Sequence, residues 1–375
     1  MYRARRNEYL PETVSPPGET LQELLDERHM TQVQLADRTG RPKKTINEII
    51  KGKAPITPET ALQLERVLGV TASFWNARES HYQQYLAREH EREQLTGYTD
   101  WLKELPIAEM AKMGWIERRN DDIEQIREIL SYFGVASPRQ WKEVLLKPQV
   151  NFRHARTFES SPAHLGAWLR RGEVEAQAIV CCPYDRGEFE TALQRARRLT
   201  VDSDLQALRK VCAGAGVAVV FVPQLPKSRV SGATRWLSPT KAVIQLSVRY
   251  RTDDHLWFTF FHEAGHILLH GKRDVFIEYA AKAEDSQLPQ NPSTATEEAE
   301  ADAFASEFLI QAEKLQRFRA AALQKRISEN MVRQLADELG IAPGIVVGRL
   351  QFLGWLPYTH LNKLRRRFTW PHETD

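Results

Sequence analysis

Phe258-Thr259-Phe260-Phe261-His262-Glu263-Ala264-Gly265-His266-Ile267-Leu268-Leu269-His270 is the stretch on which the fold turns. Apart from Thr259, its polar side chains are three histidines and one glutamate, set in an otherwise apolar run that predicts a buried helix within residues 253–269. Histidines four residues apart project from one helical face, so His262 and His266 can hold one Zn2+ ion between them. Glu263, next to the first histidine, reaches a water bound to such an ion and is the candidate base. A hydrolytic zinc site also needs a third protein ligand. Downstream, Glu297-Glu298-Ala299-Glu300-Ala301-Asp302-Ala303-Phe304-Ala305 reads as a helix whose carboxylates at 298 and 302 share a face. Glu298 is the candidate ligand, Asp302 the candidate partner for the free nitrogen of a ligand histidine, and Glu300 the alternative ligand. His270, one turn past His266, is a candidate donor to a developing oxyanion.

Upstream of this helix lie the β-signals. Val217–Val222 is an apolar run, and residues 229–237 and 242–248 flank Ser238-Pro239-Thr240 as the arms of a hairpin would. The strand around Ser231–Arg235 is expected to be a sheet edge on which an extended substrate pairs. Residues 272–279 read as a short strand and residues 284–296 as a loop, with helices resuming from Glu297. Residues 100–210 read as mostly helical, with Trp101, Trp115, Trp141 and Trp168 as core anchors. The expected fold class is mainly α with a small β-sheet, an α+β chain.

The N-terminal segment has a different texture. Between Pro17 and Trp75 apolar residues recur at helical spacing in short bursts, with Thr31, Thr45 and Thr57 as N-caps or early helix residues and Gly40, Gly52 and Gly69 as stops. Thr31–Ala36 supplies one helix, Gly40 the turn, and Arg41–Ile50 a second helix with Ile46, Ile49 and Ile50 on its inner face. That leaves Lys43, Lys44, Thr45, Asn47 and Glu48 outward, the layout of a helix that reads a DNA major groove. Between Arg38 and Lys53 six residues are basic and one is acidic, a cationic concentration suited to phosphates. Asn47 and Lys44 are the candidates for base edges, with Gln32, Lys43 and Lys51 positioned for the backbone and Thr45 on the same face. The string Gln34-Leu35-Ala36-Asp37-Arg38-Thr39-Gly40 recurs as Gln334-Leu335-Ala336-Asp337-Glu338-Leu339-Gly340. The second copy is followed by Ile341-Ala342-Pro343-Gly344-Ile345-Val346-Val347, which offers phosphates nothing, so it is expected to be a structural helix pair. From Asn76 to Leu95 the chain is densely charged and reads as a solvated connecting helix.

Length and composition bound the remaining possibilities. A chain of 375 residues calls for two or three cores. Its 42% hydrophobic and 27% charged residues exclude disordered and collagen-like classes. The longest weakly polar run, Val211–Val222, falls short of the roughly 20 residues that span a bilayer, so no membrane partner is expected. No signal-peptide core follows the basic first residues, and three cysteines, two adjacent at Cys181 and Cys182, fit inert thiols in the cytoplasm. With 52 basic against 49 acidic residues, any nucleic-acid surface must be local.

Thr-Gln-x-x-Leu-Ala, Gly40 and an Ile-x-x-Ile helix ending in Lys51-Gly52 resemble the Xre/Cro-type helix-turn-helix, and the run from Pro17 to Lys53 is similar to the HigA/VapI branch of plasmid-maintenance antitoxins. This resemblance covers about residues 7–80 and implies operator double-stranded DNA as a partner and a homodimer. The His262-Glu263-Ala264-Gly265-His266 motif, with the Glu298–Ala305 helix, Val230–Thr234 and Leu268-Leu269-His270, resembles the ImmA/IrrE metallopeptidases, a gluzincin-like family, over roughly residues 205–355. That implies a zinc endopeptidase whose targets are helix-turn-helix repressors. The chain departs from the minimal family pattern in its own helix-turn-helix and in a long loop before Glu298. The expected organisation is a DNA-binding domain at 1–75, a charged linker at 76–100, a helical middle region at 101–203 and a metallopeptidase domain at 204–375. The expected function is a regulator that cleaves a regulatory protein. The competing expectation is a non-catalytic antitoxin that binds metal or a cognate toxin.

Overall fold

In the computed structural model the described residues are 14–146, 161–226, 228, 230–247, 252–272, 276–279, 292–322 and 326–368. The chain divides into two compact units, Met1–Thr99 and Asp100–Asp375. Among the described residues no helix is long and apolar enough to cross a membrane.

The first unit is helical: α1 (Pro17–Glu27), α2 (Gln32–Thr39), α3 (Lys43–Ile50), α4 (Pro58–Leu68) and α5 (Ala72–Thr96). Each start has a local cause. Thr31 and Gln34 form a reciprocal capping box at α2, and the Thr57 and Thr71 hydroxyls accept from the third residue of α4 and α5. Pro42 precedes α3, so Thr45 lies inside that helix. Gly40 and Gly69 end α2 and α4 in the left-handed region, where a Cβ is costly. Leu21, Leu25, Leu35, Ile46, Leu64 and Trp75 close a core between these helices. Only Ala72, Trp75 and Leu95 of the 25-residue α5 are buried, so most of its charged length is solvated.

The second unit contains α6 (Ile107–Lys112), α7 (Asp122–Phe133), α8 (Pro138–Trp141), α9 (Pro162–Ala178), α10 (Arg186–Leu199) and α11 (Leu205–Gly214). Strands β1 (Val217–Phe221), β2 (Val230–Ser238) and β3 (Lys241–Leu246) follow, then α12 (Asp253–Leu269) and β4 (Phe276–Tyr279). It closes with α13 (Pro292–Leu309), α14 (Ala312–Ala322), α15 (Glu329–Leu339) and α16 (Pro343–Phe352). Trp101, Trp141 and Trp168 are buried, and the Trp101 and Trp141 rings meet edge to face at 5.5 Å. The sheet order is β1-β3-β2-β4, with β1 and β3 parallel and the other pairs antiparallel. Alternate residues of β1 divide between two cores: Val217, Val219 and Phe221 pack with Trp257, Phe260 and Phe261 of α12, while Ala218 and Val220 pack with Leu165 and Trp168 of α9. The sheet is thus a middle layer, and α12 is buried nearly all round on one side of it.

Two expectations are corrected here. Ser231–Arg235 does not form a sheet edge, because β4 pairs with β2 from Val230 to Thr234 and leaves β2 inside the sheet. The loop expected at 284–296 ends early: Pro292 already opens α13, as proline favours a first helical turn, and residues 284–291 lie outside the described residues.

Candidate metal centre and nucleic-acid face

The centre is assembled from α12 and α13. Gly265 lets the two helices approach closely, since a Cβ there would stand 3.1 Å from Phe304 and 3.3 Å from Ala301. Glu298, on the first described turns of α13, thereby reaches the histidine face: its carboxylate lies 3.1 Å from His262 Nε2 and 3.6 Å from His266 Nε2. Donor atoms of His262, His266 and Glu298 all fall within 4.8 Å of one another. Both histidines are buried and Glu298 is partly so.

The far nitrogens of both rings are engaged. Asp302 Oδ1 lies 2.9 Å from His262 Nδ1. His266 Nδ1 lies 2.9 Å from His270 Nδ1, and His270 Nε2 lies 3.1 Å from Glu300 Oε2. Read as a chain of donors ending on carboxylates, these contacts put the protons of His262 and His266 on Nδ1 and leave their Nε2 lone pairs facing each other at 3.0 Å. Burial pushes His266 below its ordinary value. Burial acts in the opposite sense on Glu298, but the adjacent imidazoles of His262 and His266 outweigh it and hold the carboxyl down at about 2. Three unprotonated donors converging on one point fit a divalent cation.

Glu263 is fully buried and packs beneath β2: a Cβ on Gly232 would stand 2.5 Å from its Oε1. Thr234, two residues further along β2, donates from its hydroxyl to the Glu263 carbonyl at 3.1 Å and so pins α12 to the sheet. Phe276 of β4 stacks on the His266 ring at 4.1 Å, which sets β4 beside the cluster. The structure thus brings together His262, His266, Glu298 and Asp302, with Glu263 next to His262 on α12 and its carboxylate against Gly232 of β2. It sets His270 and Glu300 on the outer side of His266, away from the converging Nε2 atoms.

In the first unit, Ile46 and Ile49 of α3 are buried and Ile50 half-buried, while Lys43, Lys44, Lys51 and Lys53 are exposed. Asn47 Nδ2 donates to Gln32 Oε1 at 3.4 Å and Gln32 Nε2 donates to Gln22 Oε1 at 3.0 Å, a link across α3, α2 and α1. Arg41 is taken out of the cationic set, because it binds Gln63 at 2.7 Å and Glu59 at 3.3 Å. Thr45 is half-buried on the same helix.

Residues 21–75 match the helix-turn-helix family model, and residues 212–351 match the peptidase family model described as an IrrE N-terminal-like domain. The chain joins a helix-turn-helix domain to an IrrE-like domain. A curated relative, the uncharacterised HTH-type transcriptional regulator YddM of Escherichia coli, is 34% identical over 59 residues, 16% of this chain. The chain spans 63% of that relative's length. Among solved structures, a HigA-family addiction-module antidote protein from Coxiella burnetii is 30% identical, covering 22% of this chain and 91% of its own, with a TM-score of 0.21. A putative antidote protein of a plasmid maintenance system from Nostoc punctiforme is 25% identical over 22% of this chain and 92% of its own, with a TM-score of 0.22.

Several contacts around the IrrE-like centre go beyond what the sequence shows. Gly232 and Thr234 fall within the Val230–Thr234 stretch of the family resemblance, yet their meeting with Glu263, like that of Phe276 with His266, comes from strand register and not from local spacing. Arg349 of α16 is a fourth: burial lowers its pKa while the Asp302 carboxylate opposes the shift, so its guanidinium stands in the field of the group that holds His262. A single arginine in an apolar helix was the available signal.

Proposed function

We propose that this DNA-binding regulator carries a working zinc endopeptidase in its IrrE-like domain, acting in the cytoplasm on a regulatory protein of the repressor type. The observation that carries the reading is the convergence of His262, His266 and Glu298 within 4.8 Å, backed by Asp302 on one ring and His270 on the other. Two imidazoles and one carboxylate form a donor set suited to catalytic zinc, which when bound would supply Lewis acidity toward water and a scissile carbonyl. The chain's own residues handle the rest. Glu263 accepts the proton of the attacking water at its carboxylate and returns it to the departing amine. Asp302 holds His262, and the Glu300–His270 pair holds His266, each fixing the tautomer that keeps Nε2 free. Glu300 is therefore an orienting group and Glu298 the ligand. An extended substrate pairs with β4, the outer strand of the sheet among the described residues and the one that stands beside His266, and α3 sets Lys44 and Asn47 on operator bases.

The test begins with metal content by mass spectrometry. Wild type is expected to hold one zinc per chain, lost in Glu298→Ala and kept in Glu300→Ala. Glu263→Gln is expected to keep the metal and lower cleavage of repressor-type substrates by about 10²- to 10⁴-fold. A wild type without zinc after reconstitution would replace this reading with that of a non-catalytic, antitoxin-like repressor.

A further inference from the structure

The C-terminal part of the second unit holds a cleft of about 340 Å3 between the end of α14 and the turn after α16. Its walls are Ala322, Ile327, Trp355, Leu356 and Pro357, and its polar groups are Arg319, Arg326 and His360. No carboxylate lines it among the described residues. The side chains are arranged rather than merely near. Arg319 lies over the Trp355 ring with its Cζ 4.9 Å from the centroid, which leaves the edge of the guanidinium available. Arg326 Nη2 donates to His360 Nε2 at 3.0 Å, and the other ring nitrogen meets the Thr359 hydroxyl at 3.1 Å.

The wall that carries Trp355, Leu356 and His360 is braced from within. Buried Gln351 donates from Nε2 to the His360 carbonyl and Asn362 Oδ1, each at 3.0 Å, and lies 3.4 Å from the carbonyls of Pro357 and Tyr358. Arg365 holds the same glutamine at its oxygen, 3.5 Å away, and pairs with Asp254 at 2.8 Å. The turn is thus fixed before any ligand arrives, which lowers the ordering cost of binding.

We propose that this cleft binds a small organic anion, a carboxylate or phosphate monoester on an apolar body. Two guanidiniums without a carboxylate partner in the cleft supply the charge complement. A bare inorganic ion would use those alone, whereas the walls of Trp355, Ile327 and Leu356 reward only a ligand with a carbon skeleton. The volume sits at the lower end of the roughly 300–1,000 Å3 typical of small-molecule sites, which sets the size of the occupant near a single ring with its anionic group.

Calorimetric titration of the full-length protein with phenyl phosphate, benzoate and neutral benzyl alcohol tests this. At least one anion is expected to bind saturably and about tenfold or more tightly than the alcohol. Arg319→Gln and Arg326→Gln, both at exposed positions, are each expected to weaken that anion about tenfold while leaving the melting temperature unchanged. Tighter phenyl phosphate assigns the site to phosphate monoesters, and tighter benzoate to carboxylates. Anions that bind no better than benzyl alcohol, or binding untouched by both arginine variants, would overturn the proposal.

Discussion

Two side-chain positions near α12 show how much a single atom decides. Gly232 leaves room for the Glu263 carboxylate, and an alanine there would place its Cβ 2.5 Å from Glu263 Oε1 and 2.7 Å from Thr259 Cγ2. Gly232→Ala is therefore expected to push the carboxylate aside and lower hydrolysis by at least about tenfold, with zinc content unchanged because the atoms nearest the added Cβ belong to Glu263 and Thr259 and not to a ligand. Equal loss of metal would show that the substitution disturbs the whole helix instead. Asp253, at the start of the same helix, is buried, and burial raises its carboxyl from 3.8 to about 6 despite the backbone N–H of Arg366 that it accepts. The unfolded chain then releases this proton at lower pH than the native one, so stability falls as pH rises from about 4 to about 6 and stays lowered above. Asparagine keeps an acceptor oxygen and carries no charge. Asp253→Asn is expected to match wild type below about pH 4 and to exceed it by on the order of 1–2 kcal/mol above pH 6, measured by denaturant unfolding at each pH. Of these residues the sequence exposed the histidines and Glu263, whose spacing within one helix is local. The closeness of Gly232 to Glu263 and the burial of Asp253 stayed hidden, since they come from strand register and from a C-terminal segment far along the chain.

The repeated motif makes the same point for elements. α2, Gly40 and α3 are echoed by α15, Gly340 and α16, and both glycines cap with positive φ. Local sequence therefore specifies the same helix, turn and helix twice. What differs is the second helix. α3 buries Ile46 and Ile49 and leaves its lysines in solvent, whereas α16 buries Ile345, Val346, Val347 and Leu350. Gly344 and Gly348 let α16 settle on the Asp253 and Asp254 carboxylates at the head of α12, where a Cβ would overlap them. The absence of cations from Ile341 to Val347 made that assignment legible in advance, and only the partner, α12, was not. With α3 as the proposed reader, Lys44→Ala with Asn47→Ala is expected to weaken operator binding by about 2–4 kcal/mol in a mobility-shift titration. The slope of log affinity against log salt should fall by about one for the lost phosphate-facing charge if Lys44 touches backbone, and stay unchanged if it reads a base. Undiminished binding by the double variant would remove α3 from the interface.

At the scale of the molecule, the metal-type cluster and the helix-turn-helix are built on separate cores. Leu21, Leu35, Ile46, Leu64 and Trp75 close one, and the two faces of the sheet close the others around α12 and α9. Composition and length announced more than one core, and apolar periodicity announced the helices. The sheet order was less accessible, because β4 joins by pairing with a strand more than forty residues earlier. The separation has a measurable consequence. A ligand stabilises the cooperative region that it binds, by about 2.7 kcal/mol at a free concentration one hundred times its dissociation constant. Zinc held by His262, His266 and Glu298 would link α12 to α13, so its addition to metal-stripped protein is expected to slow amide exchange in both helices and in β2, which Thr234 ties to the Glu263 carbonyl. Exchange in α1–α4 should stay as it was, and operator DNA should slow α2 and α3 while leaving α12 untouched. Slowing of α2 and α3 by zinc alone would instead reveal a free-energy coupling between the metal site and the DNA-reading helix, and by reciprocity operator DNA would then tighten zinc binding by the same factor.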